Sequence, residues 1–232
     1  MQSLILMGNT IHSEVISMGL MEKMLKQSRK PKGRFGTFYA GLMNIGHSRV
    51  TRWGLIHVLI NENDTILDIG CGGGKTVNTL AKTATEGKIY GIDYSEVSVA
   101  VATKTNKRFI NAGQVEILHA SVESLPFPDD MFDLAAAVES YYFWPDLVNN
   151  LKEIRRVLKP GGSLILINAC YRDERFEKRN SNLAKVGDFT YHLPEEFRVF
   201  LKDAGYSSIQ IEVLENKNWI FAKGIKTETQ EL

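Results

Sequence analysis

From Thr65 onward, short apolar runs alternate with longer stretches of helical period. Thr65–Ile69 (T-I-L-D-I), Lys88–Asp93 (K-I-Y-G-I-D), Val115–His119, Phe132–Val138 (F-D-L-A-A-A-V) and Ser163–Ala169 (S-L-I-L-I-N-A) have the length and near-continuous hydrophobicity of buried parallel strands. Between them, Thr76–Thr83, Ser95–Asn106 and Asp146–Leu158 read as helices, and Lys159-Pro160-Gly161-Gly162 reads as the stop and turn of the third. No clear helix falls between the third and fourth strands. Residues 170–192 are polar and mixed, and read as a mobile insertion or lid. Leu193 to Gly205 then fits a helix leading into a hairpin of Ile209–Leu214 and Trp219–Ile225, joined through Glu215–Asn218. Strands alternating with helices predict an α/β chain, with helices on both faces of a mostly parallel sheet.

Upstream, Ile11–Gln27 places Val15, Ile16, Met18, Leu20, Met21, Met24 and Leu25 on an amphipathic helix, despite Gly19. The basic link Arg29–Arg34 reads as a solvated connector, with a phosphate-binding patch as the alternative. In Phe35–Ile60, Tyr39, Leu42, Met43, His47, Val50, Trp53, Leu55, Ile56 and Leu59 can line helical faces. Residues 1–60 are therefore expected to form an N-terminal helical cap over the C-terminal strand ends, where ligands sit in such sheets, with 61–232 as the main domain in one compact unit. Tyr39 and His47 are candidate substrate contacts, and His47 a candidate base; core packing is the competing role for both, as for Trp53. His57, in an apolar run, reads as structural.

The chemistry centres on Thr65–Thr76, T-I-L-D-I-G-C-G-G-G-K-T. Glycines packed at a strand end imply a turn with positive φ and room for a ligand against the backbone. A helix N-terminus pointing back at that turn completes a nucleotide-type site. The dinucleotide fingerprint G-x-G-x-x-G would need glycine at Lys75, and a P-loop would need glycine at Ile69. What stands is D-x-G-x-G-x-G, formed by Asp68, Gly70, Gly72 and Gly74. Asp93, 19 residues beyond Gly74, ends the second strand, where a carboxylate can accept hydrogen bonds from both ribose hydroxyls; a helix-capping acid is the alternative. The fourth strand ends in E-S-Y-Y-F-W-P-D, Glu139–Asp146.

The glycine motif resembles the first motif of class I S-adenosylmethionine (SAM)-dependent methyltransferases. Two more segments strengthen the resemblance, in the right order over about 160 residues: Leu125-Pro126-Phe127, and R-R-V-L-K-P-G-G at Arg155–Gly162. Within that family the chain resembles the small-molecule, UbiE-like (type 11) group. The resemblance implies a Rossmann-like sheet of seven strands, six of them parallel and the last inserted antiparallel beside the fifth. It implies that the Gly70–Gly74 backbone, with Gly70, Cys71, Gly72 and Gly74 as its candidate contacts, holds the methionine part of SAM, that Asp68 helps orient its amino-acid end through the loop, and that Asp93 binds ribose. Tyr94 can lie against adenine, while Ser95 can cap the next helix. Many of these enzymes carry an acid and an alanine where this chain has Ser121 and Val122; either the Ser121 hydroxyl or the Val122 backbone N–H is then left to meet adenine. The sulfonium cation favours an aromatic wall, which assigns Tyr141 and Tyr142 to the site. Trp144 is assigned to substrate contact, with packing as its alternative. Glu139 either holds the cofactor's amino group or activates a substrate. The implied reaction is in-line displacement of the methyl group, releasing S-adenosylhomocysteine.

Composition narrows the acceptor and the setting. With 232 residues, 44% apolar and 24% charged, the chain is an ordinary globular one with a net charge of +1. Nothing in that balance favours nucleic acid, and a small-molecule acceptor is expected. A nucleic-acid or protein acceptor using Arg29–Arg34 and Lys104–Arg108, or a SAM-binding protein without turnover, are the alternatives. The fourth strand ends V-E-S-Y-Y, unlike the N/D-P-P-Y/F motif of enzymes that methylate exocyclic base nitrogens. The two cysteines suit a reducing cytoplasm. No secretory leader and no membrane span are expected. Five scattered histidines suggest no metal site. Oligomeric state is open.

Overall fold

The structure, a computed structural model, describes residues 48–227. The helix expected at 11–27, the basic link, Tyr39 and His47 lie outside the described residues.

The described chain begins with α1 (Ser48–Leu55) and continues through β1 (Thr65–Ile69), α2 (Lys75–Thr83), β2 (Lys88–Asp93), α3 (Glu96–Thr105), α4 (Lys107–Asn111) and β3 (Val115–His119). It then runs through β4 (Phe132–Val138), α5 (Leu147–Val157), β5 (Leu158–Asn168), α6 (Glu177–Gly187), α7 (Pro194–Asp203), β6 (Tyr206–Leu214) and β7 (Trp219–Lys226). The strands form one sheet in the order β3-β2-β1-β4-β5-β7-β6. β1 to β5 pair in parallel, and β7 runs antiparallel between β5 and β6.

Period-two alternation sends successive side chains to opposite faces. In β5, Leu164 and Leu166 join one core with Leu151, Ile154 and Val157 of α5 and with Phe197 and Leu201 of α7. Ile165 and Ile167 join the other, with Val50 of α1 and with Val77, Leu80 and Ala81 of α2. Three alanines in β4, Ala135–Ala137, are fully buried and leave room for helices on both sides. Gly54 lets α1 settle on the sheet, since a Cβ there would meet the Ile167 side chain at 2.5 Å. Trp53 and His57 pack on Trp219 and Phe221 of β7, with ring centroids 6.0 and 5.1 Å apart.

Three expectations need correction. Lys159–Gly162 does not end a helix and turn before the strand; it is a bulge inside β5. The ladder steps from Phe132↔Leu158 to Leu134↔Ser163, with Gly161 at φ +79° and Lys159 Nζ 2.7 Å from Asp133. The segment 170–192 is not simply an insertion: it forms a 3-10 turn (Glu174–Phe176) and α6, and Phe189 and Tyr191 return to the core. Finally, β6 starts at Tyr206 rather than Ile209, its first residues carrying a register shift between Ser207 and Gln210.

Candidate active site

At the C-terminal end of β1 the chain makes a tight turn, with Gly70, Gly72 and Gly74 at φ +71°, +52° and +78°. Each glycine has its own reason. A Cβ on Gly70 would sit 2.5 Å from Cβ of Ser140, and one on Gly74 would sit 2.5 Å from Nδ2 of Asn106. At Gly72 a Cβ would project into open space, so that position is a bare cradle. Most of the turn's donors are satisfied by the protein, chiefly by β2. The N–H groups of Gly70 and Cys71 both donate to the Ile92 carbonyl, and Gly74 N–H donates to the Cys71 carbonyl.

Asp93 ties the turn to β2. One carboxylate oxygen accepts the Gly72 N–H and the other the Ser95 N–H, both at 2.9 Å. The Ser98 side chain also hydrogen-bonds this carboxyl; a carboxylate has about four acceptor directions, so capacity for one ligand hydroxyl remains. Burial raises the Asp93 carboxyl above its usual range, opposed by those N–H bonds. Ser95 caps α3 by accepting the Ser98 N–H.

Asp68 lies beneath the turn rather than in the cavity, and it is almost wholly buried. Its carboxyl takes the Val77 N–H, while Oδ2 has no hydrogen-bond partner. Burial first, and then the Asp93 charge, push it up to about 8, well above the usual carboxylate range.

Beyond the turn opens a cavity of about 1100 Å³. It brings together Gly70, Cys71, Gly72, Asp93, Tyr94, Ser121, Val122, Glu139, Tyr142 and Trp144. It does not include Gly74, which shapes the turn by capping α2, or Tyr141. Tyr141 is a correction: the 3-10 turn Tyr141–Phe143 sends its ring into the core against Phe197, at 5.1 Å, away from the cavity. Tyr142 faces the cavity and donates its hydroxyl to the Cys170 carbonyl at 3.3 Å. The described end of the expected cap, Ser48 to Ile60, lines the mouth, with Ile56 and Leu59 exposed there.

Glu139 closes β4 at φ +55°, an unusual conformation for a residue with a side chain. Its own N–H donates to the Ile167 carbonyl, and its carboxylate accepts the Ala169 N–H. Burial holds its carboxyl up at about 7, against the opposing pull of the Ala169 N–H and the Arg179 charge. A strained, half-buried carboxyl that titrates near neutrality at a cavity wall can take a proton from a substrate.

Sequence reasoning missed several lining residues. Glu123 lies two residues past Ser121, whose hydroxyl donates to it at 3.1 Å. Cys170, Leu183 and Phe189 come from the segment read as a lid. Among the described residues, no group of three or more His, Cys, Asp or Glu could hold a metal ion, and no helix is long and apolar enough to cross a membrane.

A SAM-type ligand fits this donor set. The bare Gly72 cradle, the remaining capacity of Asp93 and the aromatic wall beside Glu139 match its amino-acid, ribose and sulfonium parts.

Residues 67–166 match the family described as a methyltransferase domain. An uncharacterized methyltransferase of Bacillus subtilis, YdaC, is 29% identical over 173 residues, 74% of this chain and 87% of the relative. A demethylmenaquinone methyltransferase of the same organism is 33% identical over 144 residues, 62% of this chain and 60% of its own length. The chain thus spans less than two thirds of that relative. A solved SAM-dependent methyltransferase from Aquifex aeolicus shares the fold, with a TM-score of 0.62 at 24% identity over 76% of this chain and 89% of that one.

Proposed function

We propose that this protein, a member of the class I SAM-dependent methyltransferases, moves the methyl group of SAM to a nucleophilic atom of a small-molecule acceptor, in a reducing cytoplasm where Cys71 and Cys170 stay free thiols. The observation that carries the reading is the cavity. At about 1100 Å³ it exceeds the roughly 300–1,000 Å³ of ordinary small-molecule sites. It therefore has room for the cofactor and a second small molecule side by side.

Bound SAM supplies an electrophilic methyl carbon on a sulfonium centre. Gly70 to Gly73 seat the amino-acid end of the cofactor, Asp93 accepts a ribose hydroxyl, and Ser121 to Glu123 form the wall beside the base. The acceptor side is walled by Tyr142, Phe143, Trp144, Leu183 and Phe189. These apolar groups exclude water and align the nucleophile with the methyl carbon. Alignment of this kind is worth roughly 7–11 kcal/mol. Glu139 takes the acceptor's proton when the nucleophile must lose one. The similarity to an enzyme named for demethylmenaquinone supports a small acceptor with an apolar body.

The test is to incubate the protein with methyl-labelled SAM and a cell extract, then separate small molecules from macromolecules. Label in the small-molecule fraction is expected. Label in RNA, DNA or protein overturns the reading. SAM binding without label in either fraction points to a binding protein without turnover.

A further inference from the structure

The wall beside the base has almost no regular structure of its own. Between β3 and β4, residues 120–131 contain only an isolated bridge between Ser121 and Ser124. An unsupported loop makes a poor binding surface, because ordering it costs entropy at the moment of binding.

The support comes from α5. Glu153 Oε1 accepts the Leu125 N–H at 2.8 Å. The Arg156 guanidinium spreads over the same segment: Nη2 donates to the Leu125 carbonyl at 3.1 Å, and Nη1 to the Phe127 carbonyl at 2.9 Å and to Asp129 at 2.7 Å. Nε and Nη2 also bind Glu153, at 2.9 and 2.7 Å. Phe127, held this way, meets Tyr90 and Phe132 edge-on at 5.3 and 4.9 Å. The two segments L-P-F and R-R-V-L-K-P-G-G, read separately in the sequence, are thus in direct contact. Neither Glu153 nor Arg156 lines the cavity.

We propose that the Glu153–Arg156 pair is a positioning device for cofactor binding: it clamps Leu125–Asp129 to α5 and thereby fixes the Ser121–Glu123 wall of the cavity. The proposal rests on SAM occupying that cavity. The planar guanidinium is what the task requires, since it serves two carbonyls and two carboxylates at once in a fixed fork. A lysine reaches one or two of them. The hydrogen bond and charge of Arg156 hold the Glu153 carboxyl below its usual range, in keeping with a permanently ionised pair.

The experiment compares Arg156→Lys, Glu153→Gln and Arg155→Lys in the full chain. Arg155 is a matched control on the same helix; its Nε donates to the Gly205 carbonyl at 2.9 Å, on the β6 side and not to the 120–131 loop. S-adenosylhomocysteine affinity is measured by calorimetry at a temperature where circular dichroism shows each variant folded. Arg156→Lys and Glu153→Gln are expected to weaken binding about 5–10-fold, less than a charged hydrogen bond made directly to the ligand would cost because the effect reaches the cavity through the loop, while Arg155→Lys stays within about twofold. If Arg156→Lys does not fold, Glu153→Gln carries the test. Unchanged affinity in both variants beside a wild type that binds overturns the clamp alone, and so does an equal loss in all three variants. A wild type that does not bind S-adenosylhomocysteine removes the cofactor assignment, and the clamp with it.

Discussion

Replacing Glu139 with glutamine separates the cost of this carboxyl from its use. The usual glutamate value is 4.5, and burial holds Glu139 at about 7. The folded protein therefore keeps this proton more tightly than the unfolded chain, and ionising the group in the fold is unfavourable. Stability from the protonated carboxyl is complete below pH 4.5, declines as the pH rises towards 7, and is constant above that. The full difference corresponds to ~3.4 kcal/mol at 1.36 kcal/mol per pH unit. Because the carboxyl meets an open cavity, solvent screening reduces this to about 2 kcal/mol. Glutamine keeps an acceptor for the Ala169 N–H and carries no charge. Glu139→Gln should then be more stable than wild type by about 2 kcal/mol at pH 8, a Tm gain of about 4–8 °C, and no more stable at pH 4. Urea unfolding at the two pH values measures this. The same variant should lose about 10²–10⁴-fold in transfer to an acceptor that must be deprotonated. A stability difference equal at pH 4 and pH 8 would refute the argument, since the carboxyl would not be the group under strain.

Gly70→Ala should lose roughly 2–5 kcal/mol of stability, combining the left-handed backbone at φ +71° with a Cβ 2.5 Å from Ser140, as read by thermal unfolding. Asp93→Asn should weaken S-adenosylhomocysteine binding by about tenfold or more, because it removes the charged acceptor of Gly72 and of the ribose; calorimetry within about twofold of wild type would contradict that role. Leu183→Ala should leave S-adenosylhomocysteine affinity within about twofold but alter the range of acceptors that take label. A tenfold loss of cofactor affinity would place Leu183 on the wrong side of the cavity.

The central strands β1, β4 and β5 were legible because burial on both faces demands nearly unbroken apolar runs, and the glycine turn because glycine readily tolerates three positive φ values in five residues. Other parts depend on geometry that local patterns do not carry. Pro160 and two glycines signal a chain reversal, but a bulge needs the same residues; Gly162 stays glycine because a Cβ would meet the Lys159 and Phe132 carbonyls at 2.8 and 2.9 Å. Helix α6 was hidden because it lacks a broad apolar stripe; its buried residues are Asn180 and Gly187. Side-chain amides anchor it instead: Asn180 Nδ2 donates to the Tyr171 carbonyl and to Asn218, at 2.9 and 3.0 Å. Tyr141 and Tyr142 are neighbours in one aromatic run, yet a single 3-10 turn sends one to the core and the other to the cavity.

The two halves of the cavity are built by different means, and that difference has consequences for function. On the proposed assignment the cofactor half is made mostly of backbone: a glycine turn whose donors are satisfied largely by β2, a strand-end carboxylate that holds it, and a loop hydrogen-bonded to Arg156. Little of it can change without loss of the turn itself. On the same assignment the acceptor half is made of side chains drawn from separate elements, namely Leu55, Ile56, Val58, Leu59 and Ile60 in and after α1, Tyr142 to Pro145 after β4, Cys170 after β5, and Leu183 and Phe189 in and after α6. None of these positions requires a special backbone conformation, and apolar side chains of similar volume exchange there at low cost. Glu139 is the exception: at φ +55° it sits where the two halves meet, joined to β5 through the Ile167 carbonyl and the Ala169 N–H. A change of acceptor can therefore proceed by substitution in the apolar wall while the cofactor turn and the carboxyl at the junction stay as they are.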